Sequence, residues 1–435
     1  MKCGFSKKDI TPPNDCCLAG YPHIRMCEGI VDPLYVRCVA FEENGLALLL
    51  CFDLEGVNQL DAQVIREYVA QQVGCETKNI LVSGTHTHTG PNLYTSQQPQ
   101  TEYLRTYLKY LATSAAEGAI ADLKEASFSF ARDQLPGITF VRRYRMKDGT
   151  VKTNPGRHNP EVLEPMSPPD ETIQLLKITR KGAGDIAIVN FQVHPDIRGG
   201  NMISADYPGV VCNTVEGALP GTDCFYMNGA CGDLNHIDVN CPEWDKNSGP
   251  EHSVHVGRAI AGKILSMYTK ARPIATGPVR TAVQTVTHPR RPHQPEKMAQ
   301  ALEFIRKYEE GTIDRSAYPG MELATAYYDY MHTIERANQS DTIDFPVSGV
   351  AMGDLCITGI PGEAFCAIGR DIRETSPFAA HMVSGITNGY EGYFPTKDAF
   401  GVTGYESRTS PFQPGVGEAI AEGSKILTRA LFTKA

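Results

Sequence analysis

Only one tryptophan, Trp244, occurs in the 435 residues, and other scarcities narrow the field further. No stretch approaches the ~20 apolar residues that span a bilayer. The longest apolar run near the start, "LALLLCF" (46–52), is too short and too internal for an export signal. The opening "MKCGFSKKDITPP" has no apolar segment of its own. The expectation is a cytoplasmic chain without a leader peptide or stable membrane insertion. None of the 13 cysteines forms a Cys-x-x-Cys pair and their number is odd, which argues against a zinc ribbon or redox motif and for reduced, mostly buried thiols. Lysine and arginine form no long block. The formal net charge is −9 and the densest basic cluster is "FVRRYRMK" (140–147), so nucleic acid is excluded as a partner. The expected partner is a small-molecule substrate, and the size is compatible with a homo-oligomer.

What is present alternates between strand-like and helix-like segments. Residues 34–56 read as two strands joined at Glu43-Asn44-Gly45. Val64, Ile65, Tyr68, Val69 and Val73 recur at helical spacing over 59–73. The short strand "NILVSG" follows, and then an Ala-rich helix over 101–123. Residues 171–180 and 185–195 read as a strand pair, with a helix from near Pro208 to 219 and a strand over 224–229. Further on, 251–271 is an amphipathic helix, 279–288 a strand, and 296–309 with 320–337 two helices. A hairpin turning at Gly353-Asp354, a helix over 363–375, a strand near 383–387 and a terminal helix over 415–433 complete the pattern. It predicts an α/β fold of mixed β-sheets, in one sheet or two, covered by helices. With no linker or repeat, residues 1–435 read as one domain, with 288–340 as a helical insertion.

Several chemistry-bearing residues stand where a strand gives way to a loop. His86 and His88 follow "NILVSG", His194 ends "IAIVNFQV", and Asp233 and His236 lie in "NGACGDLNH". Glu363 ends "LCITGIPG", and Tyr390 and Tyr393 follow "VSGITNG". Strand ends on one side of a sheet are where α/β folds build sites. Two imidazoles and a carboxylate suit Zn²⁺ better than Ca²⁺ or Mg²⁺, which prefer oxygen alone. In an extended segment His86 and His88 point the same way; either ligates, or both. On spacing alone, loop histidines satisfied by hydrogen bonds are as good a reading. Glu363 reads equally as a charge at a helix start, and Asp233 as a cap.

The motifs together favour the site. "KKDITPP", "SGTHTHTGP", "NFQVHP", "SADYPG", "NGACGDLNH", "PGEAF", "NGYEGYFPT" and "GYES" occur in this order along nearly the whole chain. In them the chain resembles the catalytic domain of the neutral ceramidases and shorter bacterial proteins related to it. The resemblance implies a single Zn²⁺ held by His86, His194, Glu363 and Tyr393, with Tyr390 a close neighbour of the last. It also implies that His88 is a site residue and that Arg142 is another, with Arg143 a near competitor.

Two departures matter. Where those ceramidases carry a serine central to amide cleavage, this chain reads "GDLNHID", with Asn235 at the serine and His236 at the following proline. The longer members carry a C-terminal sandwich domain, for which no room is expected after "GYES" and one helix here. The expectation is therefore a zinc-dependent hydrolase of the amidohydrolase or esterase type, cleaving an amide or ester of a soluble small substrate with metal-activated water. Arg142 and His88 would stabilise an oxyanion or hold a carboxylate. Asn235 would donate to the oxyanion, and His236 or Asp233 would move the proton. Asp206 would orient a ligating imidazole or cap the helix that follows. Alternative readings are a zinc-dependent lyase or carbohydrate-active enzyme on the same scaffold, a true ceramidase-like N-acyl sphingoid amidase, and a binding protein that lost the chemistry.

Overall fold

The computed structural model describes residues 1–12, 16–94, 99–402 and 404–433. The backbone starts with β1 (Lys2–Asp9), which lies antiparallel to β2 (Tyr35–Glu42). β2 turns into β3 (Leu46–Phe52) through Glu43-Asn44-Gly45, where Asn44 takes φ 51°. Helix α1 (Gln59–Val73) is capped at its start by the Asn58 side chain, which accepts from Asp61 N, and at its end by Gly74 at φ 73°. β4 (Ile80–Gly84) returns parallel to β3. Helix α2 (Pro99–Ala121) lays Ala112, Ala115, Ala116 and Ala119 on the sheet. The contact depends on Gly4 of β1, where a Cβ would stand 2.0 Å from the Ala119 carbonyl oxygen.

β5 (Lys124–Gln134), β6 (Thr172–Arg180), β7 (Ile186–Phe191) and β8 (Asp223–Asn228) extend the same sheet, in the order β8-β7-β6-β5-β1-β2-β3-β4. Helices α3 (Asp206–Ala218) and α4 (Pro250–Tyr268) cover its far half. A second sheet has the order β9 (Val279–Pro289), β10 (Thr342–Met352), β11 (Leu355–Gly359), β12 (Ala380–Ser384). Helices α5 (Met298–Glu309) and α6 (Glu322–Arg336) stand between β9 and β10 and share a small core around Phe304, Ile305 and Ala326. α7 (Cys366–Glu374), the short α8 (Tyr405–Thr409) and α9 (Val416–Thr433) follow.

Period-two alternation distributes the apolar residues between layers. Val36, Cys38, Leu48, Leu50 and Phe52 face α1 and α2. Val39, Phe41 and Leu49 face the second sheet, against Val350, Met352, Leu355, Ile357 and Met382. The other face of that sheet packs Val347, Ala351 and Val383 on α7 and α9. The result is helices, sheet, sheet, helices, which realises the mixed-sheet α/β expectation. The basic cluster at 140–147 is no surface patch, since Arg142 and Arg143 are both buried beside Glu406. All thirteen cysteines are free thiols, buried except for Cys27 and Cys75. No helix among the described residues is long and apolar enough to cross a membrane.

Two strands central to the first sheet escape the sequence reading. β5, "KEASFSFARDQ", and β1 carry so many polar residues that their alternation is weak. Their partners on both sides, rather than their own apolarity, fix them as strands.

Candidate metal centre

β8 and β4 are the outermost strands of the first sheet, yet their C-terminal ends meet. Asn228 Nδ2, ending β8, donates to the Thr85 carbonyl just past β4 (3.4 Å). The Asn228 carbonyl accepts from Gly385 N, just past β12 (3.0 Å). Strong curling of the first sheet, the usual outcome of strand twist, thus brings together the ends of β4 and β8, and the end of β12 in the second sheet packs against them.

The "SGTHTHTGP" loop is not extended, contrary to the expectation for its two histidines. His86 has φ 74°, a left-handed conformation that costs energy in a residue with a Cβ. It is held there by His86 N donating to Leu54 O (2.8 Å) and by His86 Nδ1 bonding Glu55 O (2.7 Å). The second bond makes Nδ1 the donor and leaves Nε2 facing Glu363, whose carboxylate outweighs burial and raises the His86 pKa. His88 N donates to Pro195 O (3.1 Å), tying this loop to the one after β7. Gly20, at φ 97°, gives room for the His88 ring: a Cβ there would lie 2.4 Å from His88 Cγ. His194 follows β7, and Glu363 sits in a short parallel bridge whose register partner is Tyr393.

These side chains converge. The ring centroids of His86, His88 and His194 are 4.5–5.0 Å apart. One nitrogen of each lies within 4.8 Å of the others. Glu363 Oε2 is 3.4 Å from His86 Nε2 and 3.7 Å from His194 Nδ1, both too long for good hydrogen bonds. His86 Nε2, both His88 nitrogens, His194 Nδ1 and Glu363 Oε2 are buried with no hydrogen-bond partner. Burying one such atom unpaired costs about 1–3 kcal/mol, so a cluster of them facing one point fits a cation. Burial, with the His86 charge added, holds His88 down to about 3. Burial and then Arg142 hold His194 well below the usual imidazole range. Both rings are therefore neutral, the form that ligates. Burial alone would raise the Glu363 carboxyl, but His86 overcomes it and brings Glu363 to about 2.

Around this core, Tyr390 Oη donates to Glu363 Oε1 (3.0 Å) and reaches Glu55 Oε1 (3.5 Å). Burial pushes the Glu55 carboxyl up to about 7. Arg142 is buried. Its Nε donates to Glu406 (2.7 Å), its Nη2 donates to Gly232 O (2.8 Å), and its guanidinium lies over the Tyr393 ring, 5.4 Å from the centroid. Arg143 turns the other way, over Phe365 (5.1 Å).

The remaining sequence candidates are placed differently. Asp233 Oδ1 accepts from Cys366 N (2.7 Å) and so anchors the start of α7, the capping role weighed for it, though on a distant helix. Asn235 donates to Asn154 Oδ1 (2.6 Å), which ties its loop to the one after residue 153, and accepts from Ile237 N (3.0 Å) within its own loop. His236 Nδ1 faces Asp196 Oδ1 at 3.3 Å. Asp206 neither caps α3 through its side chain nor is shown bonded to an imidazole. Its carboxylate accepts from Ile197 N (2.9 Å), Arg198 N (3.1 Å), Tyr207 N (2.7 Å) and Ser253 Oγ (2.5 Å), which fixes the loop following His194. Glu55 and Asp196 went unnoticed in the sequence. Each follows a strand end, "CFDLEG" and "QVHPD", and that position is the only signal either carries.

Two mixed sheets between helices define an α/β protein, and the buried three-histidine and carboxylate cluster at its strand ends has donors close enough to hold a metal ion. No family model matches the chain. Among solved structures, the whole chain matches 74% of the neutral ceramidase from Pseudomonas aeruginosa, with a TM-score of 0.73 and 16% identity. It also matches 75% of a ceramidase complexed with C2, with a TM-score of 0.74 and 15% identity. The fold is thus similar to that of the neutral ceramidases.

Proposed function

We propose that the protein is a zinc-dependent hydrolase of an amide or ester in a soluble small substrate. The observation that carries this reading is the convergence of unpartnered, buried donor atoms from His86, His88, His194 and Glu363. His86, His194 and Glu363 would hold the ion, with His88 or Tyr393 completing the set. The ion would supply Lewis acidity and activation of water near neutral pH. The chain's own groups do the rest. The Glu55 carbonyl orients the His86 ring, and Tyr390 holds one oxygen of Glu363 so that the other faces the imidazoles. Arg142 lies over the Tyr393 ring and brings positive charge towards an oxyanion. His236, set against Asp196, delivers the proton to the leaving group. Asn235 in place of a hydroxyl nucleophile supports attack by water, and the ceramidase-like fold is consistent with hydrolysis.

The test is metal analysis with activity on N-acyl amides and esters after zinc reconstitution. About one zinc per chain is expected, with both metal and turnover lost in His86→Ala. Protein that takes up no transition metal ends the proposal. Reaction in heavy-oxygen water separates the lyase reading, because hydrolysis places one labelled oxygen in the acid product.

A further inference from the structure

A second cavity lies behind His236. Its volume is about 100 Å³, and its walls include His236, His252, His255, Asp238, Asp245 and Asn247. His236 is 3% exposed, and its Nδ1 has no hydrogen-bond partner. The three imidazoles form a row, with centroids 5.6 Å and 5.7 Å apart, from buried His236 to exposed His255. The inner end of the row stands against Asp196, two residues from His194. His236 and Asp196 thus stand between the cavity and the loop that carries His194.

Its charge is one-sided. Asp238 and Asp245 line it, Asp196 stands behind His236, and neither lysine nor arginine lines it. Arg157 reaches the rim, 3.5 Å from Cys241 Sγ, and donates to the Asp245 carbonyl. Burial holds His252 down to about 4, so it adds no positive charge at neutral pH. The histidine nitrogens here do not gather as those of His86, His88 and His194 do, the one group of three donors close enough for a metal among the described residues. A cavity of this size admits a small organic group, since a ~150 Å³ cavity holds benzene.

We propose that this cavity is a subsite for a primary ammonium group, the amine end released from an amide substrate. The inference rests on the hydrolase reading and selects amide over ester. The C–N bond breaks, the water oxygen joins the acyl carbon, and the nitrogen leaves protonated, giving a carboxylate and an ammonium ion. Carboxylates at the rim accept from the ammonium hydrogens, and His252 and the Asn247 side-chain carbonyl provide further acceptors.

The probe is propylammonium chloride, with propan-1-ol and sodium acetate as its neutral and anionic counterparts. Binding is followed by saturation-transfer NMR and by emission of Trp244, the only tryptophan, 82% exposed and flanked by the cavity residues Pro242 and Asp245. Propylammonium is expected to bind, more weakly as salt is added, with neither counterpart matching it. Asp238→Asn with Asp245→Asn should weaken it by about tenfold, the scale of one charged hydrogen bond, with zinc content unchanged. Asp245→Asn alone should show part of the loss if the double variant folds poorly. Equal binding of propan-1-ol or acetate overturns the inference, as does affinity unchanged in the variants. Propylammonium binding in a protein that takes up no zinc would sink the hydrolase reading and leave the subsite standing. Zinc uptake without propylammonium binding would do the reverse.

Discussion

Zinc should raise the melting temperature of metal-stripped protein, and His86→Ala should abolish the rise. The folded chain buries His86 Nε2, both His88 nitrogens, His194 Nδ1 and Glu363 Oε2 without partners. These groups come from positions 86 to 363, so the unfolded chain offers no equivalent site. A ligand that binds only the folded state stabilises it by RT ln(1 + [L]/Kd), about 4 kcal/mol at roughly 1,000 times Kd. Unfolding entropy scales at about 2.1 cal/mol/K per residue, which for this chain is about 0.9 kcal/mol/K. The shift is the quotient, about 4–5 °C. A variant whose Kd rises about a thousandfold keeps only RT ln 2, a shift of roughly 0.5 °C. Scanning calorimetry after dialysis against a chelator, with and without zinc, reads the difference directly. Comparing shifts within each variant removes any change in its basal stability. An equal shift in wild type and His86→Ala would refute the reasoning, as would a wild-type shift of zero with no zinc found by mass spectrometry.

Three other perturbations test the surroundings of the site. Gly20→Ala places a methyl group 2.4 Å from the His88 ring at φ 97°; the left-handed conformation alone costs about 1–2 kcal/mol. Urea unfolding should show at least that loss and zinc affinity should fall, whereas wild-type values for both would mean that His88 does not rest on Gly20. Asp206→Ala strips the acceptor from three backbone amides and Ser253. At about 1 kcal/mol or more per bond it should cost at least 3 kcal/mol, and a loss under about 1 kcal/mol would contradict the network. His381 is held down to about 3 by burial and Arg373, against about 6.5 when unfolded. Between these values the unfolded chain takes up a proton that the folded chain refuses. This contribution is therefore complete above about pH 6.5 and is lost as pH falls towards 3, with a slope of up to about 1.4 kcal/mol per pH unit. His381→Gln should flatten the acid limb of stability against pH, and an unchanged limb would place the acid sensitivity elsewhere.

Local patterning alone fixed much of this protein. The helix at 59–73, the hairpin through Asn44, the α5–α6 pair and the terminal helix need only apolar periodicity, caps and turn residues, which act over a few residues. His86, His194 and Glu363 were legible as candidates because each follows an apolar strand run. Tertiary structure decided what no local signal carries. β1 and β5 are strands because of the neighbours they pair with. The ends of β4 and β8, at opposite edges of one sheet, meet only because accumulated twist curls that sheet. Bonds to Leu54 and Glu55 hold His86 in its left-handed backbone, and the Pro195 carbonyl ties His88 to the loop after β7. Packing also seats Arg142 rather than Arg143 over Tyr393, and commits Asp233 and Asp206 to holding backbone. Side-chain roles follow from which groups remain unpaired after folding, and pairing is a property of the whole packed chain.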